Sequence, residues 1–233
     1  MRRDLETRHK IELMLALKVG VDRAEFHRML GAAMPALDGA SLSFSISGNV
    51  LDPSAQGASG VGLPAIDAVM EISASIETPL GTIADRLQGI GGRIAAQLDL
   101  SGSGILAGTE YIVMPGEGPV MLFCPLRRLE RLSRQEFQHY WLDVHAEFGR
   151  RPDNRYRQFH TDDATTVIAA AAAGVPASNF DGIALAYFDD LDHLRSKLSS
   201  PEIAGDAFAD EQRFIDHARS QFLPFTAAKH SRT

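Results

Sequence analysis

A chain of 233 residues with 45% hydrophobic and 23% charged residues has the composition of an ordinary globular protein and is long enough to bury a sizeable core. Its formal net charge of −7, with no cluster of Lys and Arg interleaved with aromatics, excludes a nucleic-acid groove. A single cysteine, Cys124, excludes an internal disulfide and a cysteine-built zinc site, and its apolar strand setting reads as a buried, inert thiol.

Residues 1–9 read as a polar arm without the apolar core of a leader, and no run reaches transmembrane length, so the expectation is a cytoplasmic protein with no membrane partner. Ile11 to Lys18 is an apolar run suited to a strand covered on both faces. Asp22 with Glu25 has capping spacing, and Phe26, Met29, Leu30 and Met34 form the stripe of a helix reaching Leu37. Leu42, Phe44 and Ile46 alternate with serines as a half-buried strand. Asp52 to Pro64 reads as a loop, Ala65 to Ser75 as a strand, and Pro79 to Leu98 as a helix weakened by Gly89, Gly91 and Gly92. Ile105 to Met114 is a further strand, and Pro115 to Pro119 a turn-rich junction.

The order then repeats. Val120 to Leu126 is an apolar strand, and Ser133 with Glu136 opens a helix whose stripe is Phe137, Tyr140, Trp141, Val144, His145 and Phe148. After the turn at Pro152 to Asn154, Arg155 to His160 reads as a strand with Tyr156, Gln158 and His160 on one face. Thr161 to Asn179 is a long connection with an alanine run, Phe180 to Phe188 a strand, Leu191 to Ala218 helical with a break at Pro201, and Phe222 to Ala228 the last strand. DRAEF from Asp22 aligns with SRQEF from Ser133 at an offset of 111, and AIDAVMEI from Ala65 aligns with FDGIALAY from Phe180 at nearly the same offset. The pattern predicts an α+β fold of two ferredoxin-like β-α-β-β-α-β repeats, 10–116 and 119–229, whose antiparallel sheets pack apolar face against apolar face as a barrel within one chain. The offset puts Leu30 where Trp141 is, Met34 where His145 is, and Ser45 to Asn49 where Tyr156 to His160 are, so a functional pocket is expected once, in the second half.

The set EFQHYWLDVHA, RYRQFH, FDGIALAYFDDL and DEQRFID, over roughly Val120 to Phe225, resembles the EthD domain of the dimeric α+β barrel superfamily, with the first half similar to a degenerate copy. The resemblance implies a barrel closed within the chain, as a monomer or homodimer. It also implies kinship with cofactor-independent cyclases and dehydratases, quinone-forming monooxygenases, muconolactone isomerases and haem-binding chlorite dismutase-like proteins. The strand after Asp181-Gly182 departs from the family pattern: it has Leu185 and Tyr187 where relatives tend to carry an acidic residue and a Trp.

The expected function is a cofactor-independent lyase, cyclase or isomerase acting on a small aromatic or polyketide-like molecule. His145 is the candidate general acid/base, since an imidazole titrates near neutral pH. His160 and Tyr156 are the candidate groups that position and polarise an oxygen, with Trp141, Tyr140, Gln158 and Asp181 as substrate contacts. Each has a structural alternative: a histidine tied to a backbone carbonyl for His145, a polar lining inside the barrel for Tyr156, Gln158 and His160, ordinary core for the aromatics, and a turn or cap for Asp181. Asp189, Asp190 and Asp192 flank a helix start and read as caps, so no metal is expected. The other function classes that fit are a non-catalytic ligand-binding or accessory module and haem binding through one histidine.

Overall fold

The computed structural model describes residues 5–33, 42–50, 63 and 65–227. The loop read over 52–64 lies outside these except at Leu63, as do Met34, the helix end at Leu37, and Ala228. Strands β1 (Glu6–Leu17), β2 (Leu42–Asn49), β3 (Ala68–Ser75), β4 (Leu98–Met114), β5 (Val120–Leu126), β6 (Tyr156–Thr161), β7 (Gly182–Phe188) and β8 (Leu223–Ala227) form a closed antiparallel barrel in the order β1-β3-β2-β8-β5-β7-β6-β4. Closure runs through two junctions, Ser47 to Asn49 of β2 against Phe225 to Ala227 of β8, and Gly108 to Met114 of β4 against Tyr156 to Thr161 of β6. Every strand thus has two neighbours, which removes the free edges that an open sheet would expose.

Period-two alternation divides each strand between lumen and outside. Met14, Val69, Leu106, Phe123, Phe159, Leu185 and Phe225 pack together inside the barrel. One end of the lumen is charged, which corrects the expectation of a uniformly apolar inner face. Lys10 lies 2.7 Å from Glu110 and 2.9 Å from Glu12 and bonds Glu71, while Arg157 stands 3.7 Å from Glu110. The expected polar arm over residues 1–9 is corrected from Glu6 onward. β1 starts at Glu6, because Glu6 to His9 pair with Thr109 to Ile112 of β4, and Arg8 and His9 also with Ser75 and Ala74 of β3.

The helices cover the outside. In the first half α1 (Arg23–Ala33), capped by Asp22 accepting from the Glu25 N–H at 2.7 Å, packs Phe26 and Leu30 onto Ile11, Leu13, Ile46 and Ile72 in a filled core. The expected helix over Pro79 to Leu98 is two short ones, α2 (Leu80–Asp85) and α3 (Ile90–Ile94), separated at Gly89, whose φ of +69° suits glycine. In the second half the layer contains α4 (Arg134–Tyr140), a π-helical turn (Trp141–His145) and α5 (Ala146–Gly149), followed after β7 by α7 (Leu191–Leu198), a second π-helical stretch (Glu202–Ala207) and α8 (Phe208–Glu211). The connection after β6 holds an unexpected helix, α6 (Asp163–Ala173), capped by the Asp162 carboxylate and ended by Gly174 at φ +68°. Its Ala169 and Ala173 join the first half's core, which is why an alanine run without a wide apolar stripe is ordered. Among the described residues no helix is long and apolar enough to cross a membrane.

Candidate functional site

The site is built on the helix that Ser133 opens. The Ser133 hydroxyl accepts from the Glu136 N–H at 3.2 Å, and the Glu136 carboxylate accepts from the Ser133 N–H at 2.7 Å, a complete capping box. Two turns later, at Trp141, the helix widens. The Trp141 carbonyl accepts from the Ala146 N–H and also from Gln158 Nε2 at 3.0 Å, so a side chain of β6 inserts into the backbone ladder. The extra residue of the π turn rotates the apolar stripe. Trp141 and His145 turn inward, whereas Val144, expected in the stripe, is 44% exposed.

Between this helix, α7, α8 and the outer face of β5, β6 and β7 lies a cavity of about 1020 Å³. Its walls are mainly apolar, with Leu122, Cys124 and Ala184 from the sheet and Phe148, Ile203 and Phe208 from the helical layer. Burial pushes the Cys124 thiol well above its ordinary value, which keeps it unreactive. The corresponding layer of the first half is the filled core around Phe26 and Leu30.

His145 lines the cavity with 7% of its surface exposed, and its Nδ1 lies 2.9 Å from Asp210 Oδ2. The carboxylate accepts a hydrogen bond from Nδ1–H, and Nε2 meets no partner among the described residues. Tyr156 also lines the cavity. Its hydroxyl oxygen accepts from Trp141 Nε1 at 2.9 Å and Gln158 Nε2 at 3.1 Å, so the phenolic proton is left to point elsewhere. Burial raises the Tyr156 pKa, with the two N–H donors opposing it, so the group is a neutral donor at any ordinary pH.

His160 and Gln158 do not line the cavity. The His160 ring stacks on Trp141 at 4.9 Å and 10°, its Nε2 bonds Gln158 Oε1 at 3.0 Å, and burial lowers its pKa to about 3. It is a neutral ring behind Trp141. Trp141 itself reaches the cavity with one face taken by His160. Tyr140 stays outside and donates to Asp210 Oδ1 at 2.6 Å; burial and that bond raise its pKa. Asp181 is fully buried away from the cavity, 2.7 Å from Arg128, 3.2 Å from Arg134 and 3.6 Å from Arg127. Asp190 caps α7 by accepting from the His193 N–H.

The face of Tyr156, Gln158 and His160 looks outward to the helix, not into the lumen, so His145 and Tyr156 share one cavity. The offset mapping of β2 onto β6 is off by one residue: Ser45 bonds Glu71 inside the barrel, while Ile46 meets the helices. A one-residue slip exchanges the two faces of a strand. The alignment carried no gap with which to detect it. Asp210 has no signal of its own in the sequence, although it lies in the DEQRFID segment; nor does the pair of Glu211 and His217, 2.8 Å apart, because six residues is no helical period.

Two glycines clear space for these rings. A Cβ on Gly149 would fall 2.3 Å from Tyr156 Cδ1, and one on Gly182 would fall 2.6 Å from Trp141 Cζ3 and 2.7 Å from the Phe159 carbonyl. Gly182→Ala is therefore expected to lower stability by about 1–3 kcal/mol through overpacking. It should also move the emission of Trp141, the only tryptophan, towards that of an exposed indole. An unchanged urea midpoint and spectrum would mean that the ring does not sit on the Gly182 backbone.

Residues 129–218 match the EthD domain family. Over this segment the chain is similar to the EthD family. The matched segment holds His145, Tyr156, Asp210 and Glu211 together with the helix and the two strands that position them. Over nearly its whole length the chain resembles solved structures at low identity. An anthrone oxidase-like protein has TM-score 0.56 and 9% identity, over 97% of this chain and 92% of that one. A chlorite dismutase variant from Candidatus Nitrospira defluvii has TM-score 0.51 and 10% identity, over 96% and 92%. A dye-decolorizing peroxidase from Bacteroides thetaiotaomicron has TM-score 0.51 and 10% identity, over 97% and 94%. These likenesses show the fold alone, that of a dimeric α+β barrel. Nothing among the curated proteins matches the chain.

Proposed function

We propose that the chain is a cofactor-independent lyase, cyclase or isomerase acting on a small aromatic or polyketide-like molecule. The observation that carries this reading is the pairing, in one apolar cavity, of a free imidazole nitrogen on His145 with an uncommitted phenolic proton on Tyr156. His145 Nε2 takes a proton from a carbon next to a carbonyl, and Tyr156 donates to the carbonyl oxygen as it gains charge. Asp210 holds the imidazole tautomer and stabilises the cation that forms. Gln158 and His160 act through Trp141 and Tyr156 as positioning residues.

A tandem origin supports the reading of one site per chain. The barrel order separates into β4-β1-β3-β2 and β8-β5-β7-β6, the same sequence of positions in each half, as two ferredoxin-like repeats would give. The first repeat closes the barrel and the second holds the chemistry, so a monomer is complete and a homodimer needs only outer surfaces.

Haem fits this cavity poorly. The lining cations Arg155 and Lys197 are already ion-paired with Asp189 and Asp153, so the two carboxylates of a haem would find no free counter-ions there. No step is routed through it.

A thermal-shift screen with phenols, quinones and β-ketolactones on wild type and Tyr156→Phe tests the reading. A ligand at about 100 times its Kd should raise the wild-type melting temperature by roughly 5–10 °C. In Tyr156→Phe the shift should shrink while the unliganded melting temperature changes little. Equal shifts in both proteins would remove Tyr156 from the site, and no shift with any compound would remove this substrate class.

A further inference from the structure

The cavity contains a second histidine–carboxylate pair that the function above does not use. His217 Nε2 lies 2.8 Å from Glu211 Oε2, and both residues line the cavity. The ring is fixed between aromatics, 4.9 Å from Phe208 and stacked on Phe222 at 5.8 Å and 10°. Nδ1 has no partner among the described residues, so one nitrogen is tied to a carboxylate and the other is available, as at His145. The carboxylates of the two pairs are consecutive, Asp210 and Glu211, at the end of α8. The pairs differ in access to water: side-chain exposure is 9% and 8% for His145 and Asp210, but 25% and 22% for His217 and Glu211.

We propose that His217, held by Glu211, is the proton donor of this cavity, and that the substrate class is a β-hydroxy ketone that becomes aromatic by losing water. The proposal rests on the acid–base reading of His145. His145 Nε2 removes the proton between the carbonyl and the carbinol carbon. The electron pair of that C–H bond forms the new C=C bond as the C–O bond breaks, and the departing hydroxide takes the Nδ1 proton of His217, which starts the step as an imidazolium with its Nε2–H held by Glu211 and ends it neutral, and leaves as water. Nothing is oxidised or reduced. Afterwards His145 carries the proton that it took and His217 has lost one. Both are restored by exchange with solvent, to which the outer pair is more open. A single base would suffice for an isomerisation that returns its proton nearby. Two separately held imidazoles in one cavity suit a reaction that takes a proton at one place and delivers one at another.

The probe is 3-hydroxy-1-tetralone, which loses water to give 1-naphthol, with 1-tetralone, which can exchange its α-hydrogens but cannot eliminate, as its partner. Wild type should form 1-naphthol and exchange the 1-tetralone α-hydrogens with deuterium oxide. His217→Gln should lose about 10²-fold or more in elimination and keep the exchange rate, a split that a structural role for His217 would not produce. If His217→Gln folds poorly, Glu211→Gln, which keeps the imidazole and weakens its anchor, should show the same split in milder form. Elimination unchanged in both variants, with His145-dependent exchange intact, overturns the donor role and leaves His145 standing. Neither exchange nor elimination by wild type overturns both.

Discussion

Replacing Lys10 with methionine is expected to cost about 3–5 kcal/mol of folding stability, the scale of an uncompensated buried charge, read from urea unfolding at neutral pH. Lys10 is 3% exposed and is the cation shared by Glu12, Glu71 and Glu110. With Arg157 it makes two cations against three carboxylates, so the cluster is neutral when one carboxyl keeps its proton. Of the three, Glu12 is the carboxyl whose pKa is raised. Burial holds its pKa well above the ordinary value, against the pull of Lys10, whereas Glu71, also opposed by burial, is held below by Lys10 and Ser45. The two contribute in opposite directions. Glu12's contribution is complete in acid and is lost as pH rises through its raised folded value. Glu71's is present above the ordinary carboxylate range and is lost as pH falls through its lowered one. Glu12→Gln fixes the neutral form, so its stability relative to wild type should rise with pH. A difference that stays flat would mean that Glu12 is ionised in the barrel, and a Lys10→Met protein as stable as wild type would contradict the charge balance.

His145→Gln should reduce turnover by about 10²–10⁴-fold, the usual contribution of a positioned acid or base, once a substrate has been identified. Its stability cost should be limited to about 1–3 kcal/mol, that of a buried group losing one partner. Asp210 keeps the Tyr140 hydroxyl at 2.6 Å and Arg213 at 3.5 Å. Steady-state kinetics beside urea melts separate the two effects. A variant that melts far earlier but turns over normally per folded molecule would make His145 a core residue held by Asp210.

Much of the architecture was legible because it depends on local rules. Asp22, Ser133 and Asp190 cap the helices they were expected to open, and each of the eight expected strands is present in the closed antiparallel barrel. What could not be read depends on partners distant in sequence. Lys10 and Glu12 give no sign in the sequence of facing the lumen until the barrel brings up Glu71 and Glu110, 61 and 100 residues from Lys10. The alanines of α6 look like a connection until the first half's core receives Ala169 and Ala173. The π turn that exposes Val144 needs Gln158 to reach the Trp141 carbonyl, and no helical period predicts it. Asp181 could not be distinguished from a substrate contact because its three arginines come from the segment leading out of β5 and from α4. In the site, residue types were informative and partnerships were not. His145 and Tyr156 stood out by chemistry, whereas Asp210, Glu211 and His217 join them only through the fold.

The most direct test of the central claim is a fluorescence titration of the single tryptophan with a hydroxylated naphthoquinone. Trp141 lines the cavity and its indole N–H is bonded to Tyr156, so a molecule seated there must alter its emission. Saturable quenching in wild type, weakened in Tyr156→Phe without loss of fold, is the predicted result. Emission that falls only linearly and equally in both proteins would mean collisional quenching with no bound complex, and would contradict a ligand site in this cavity.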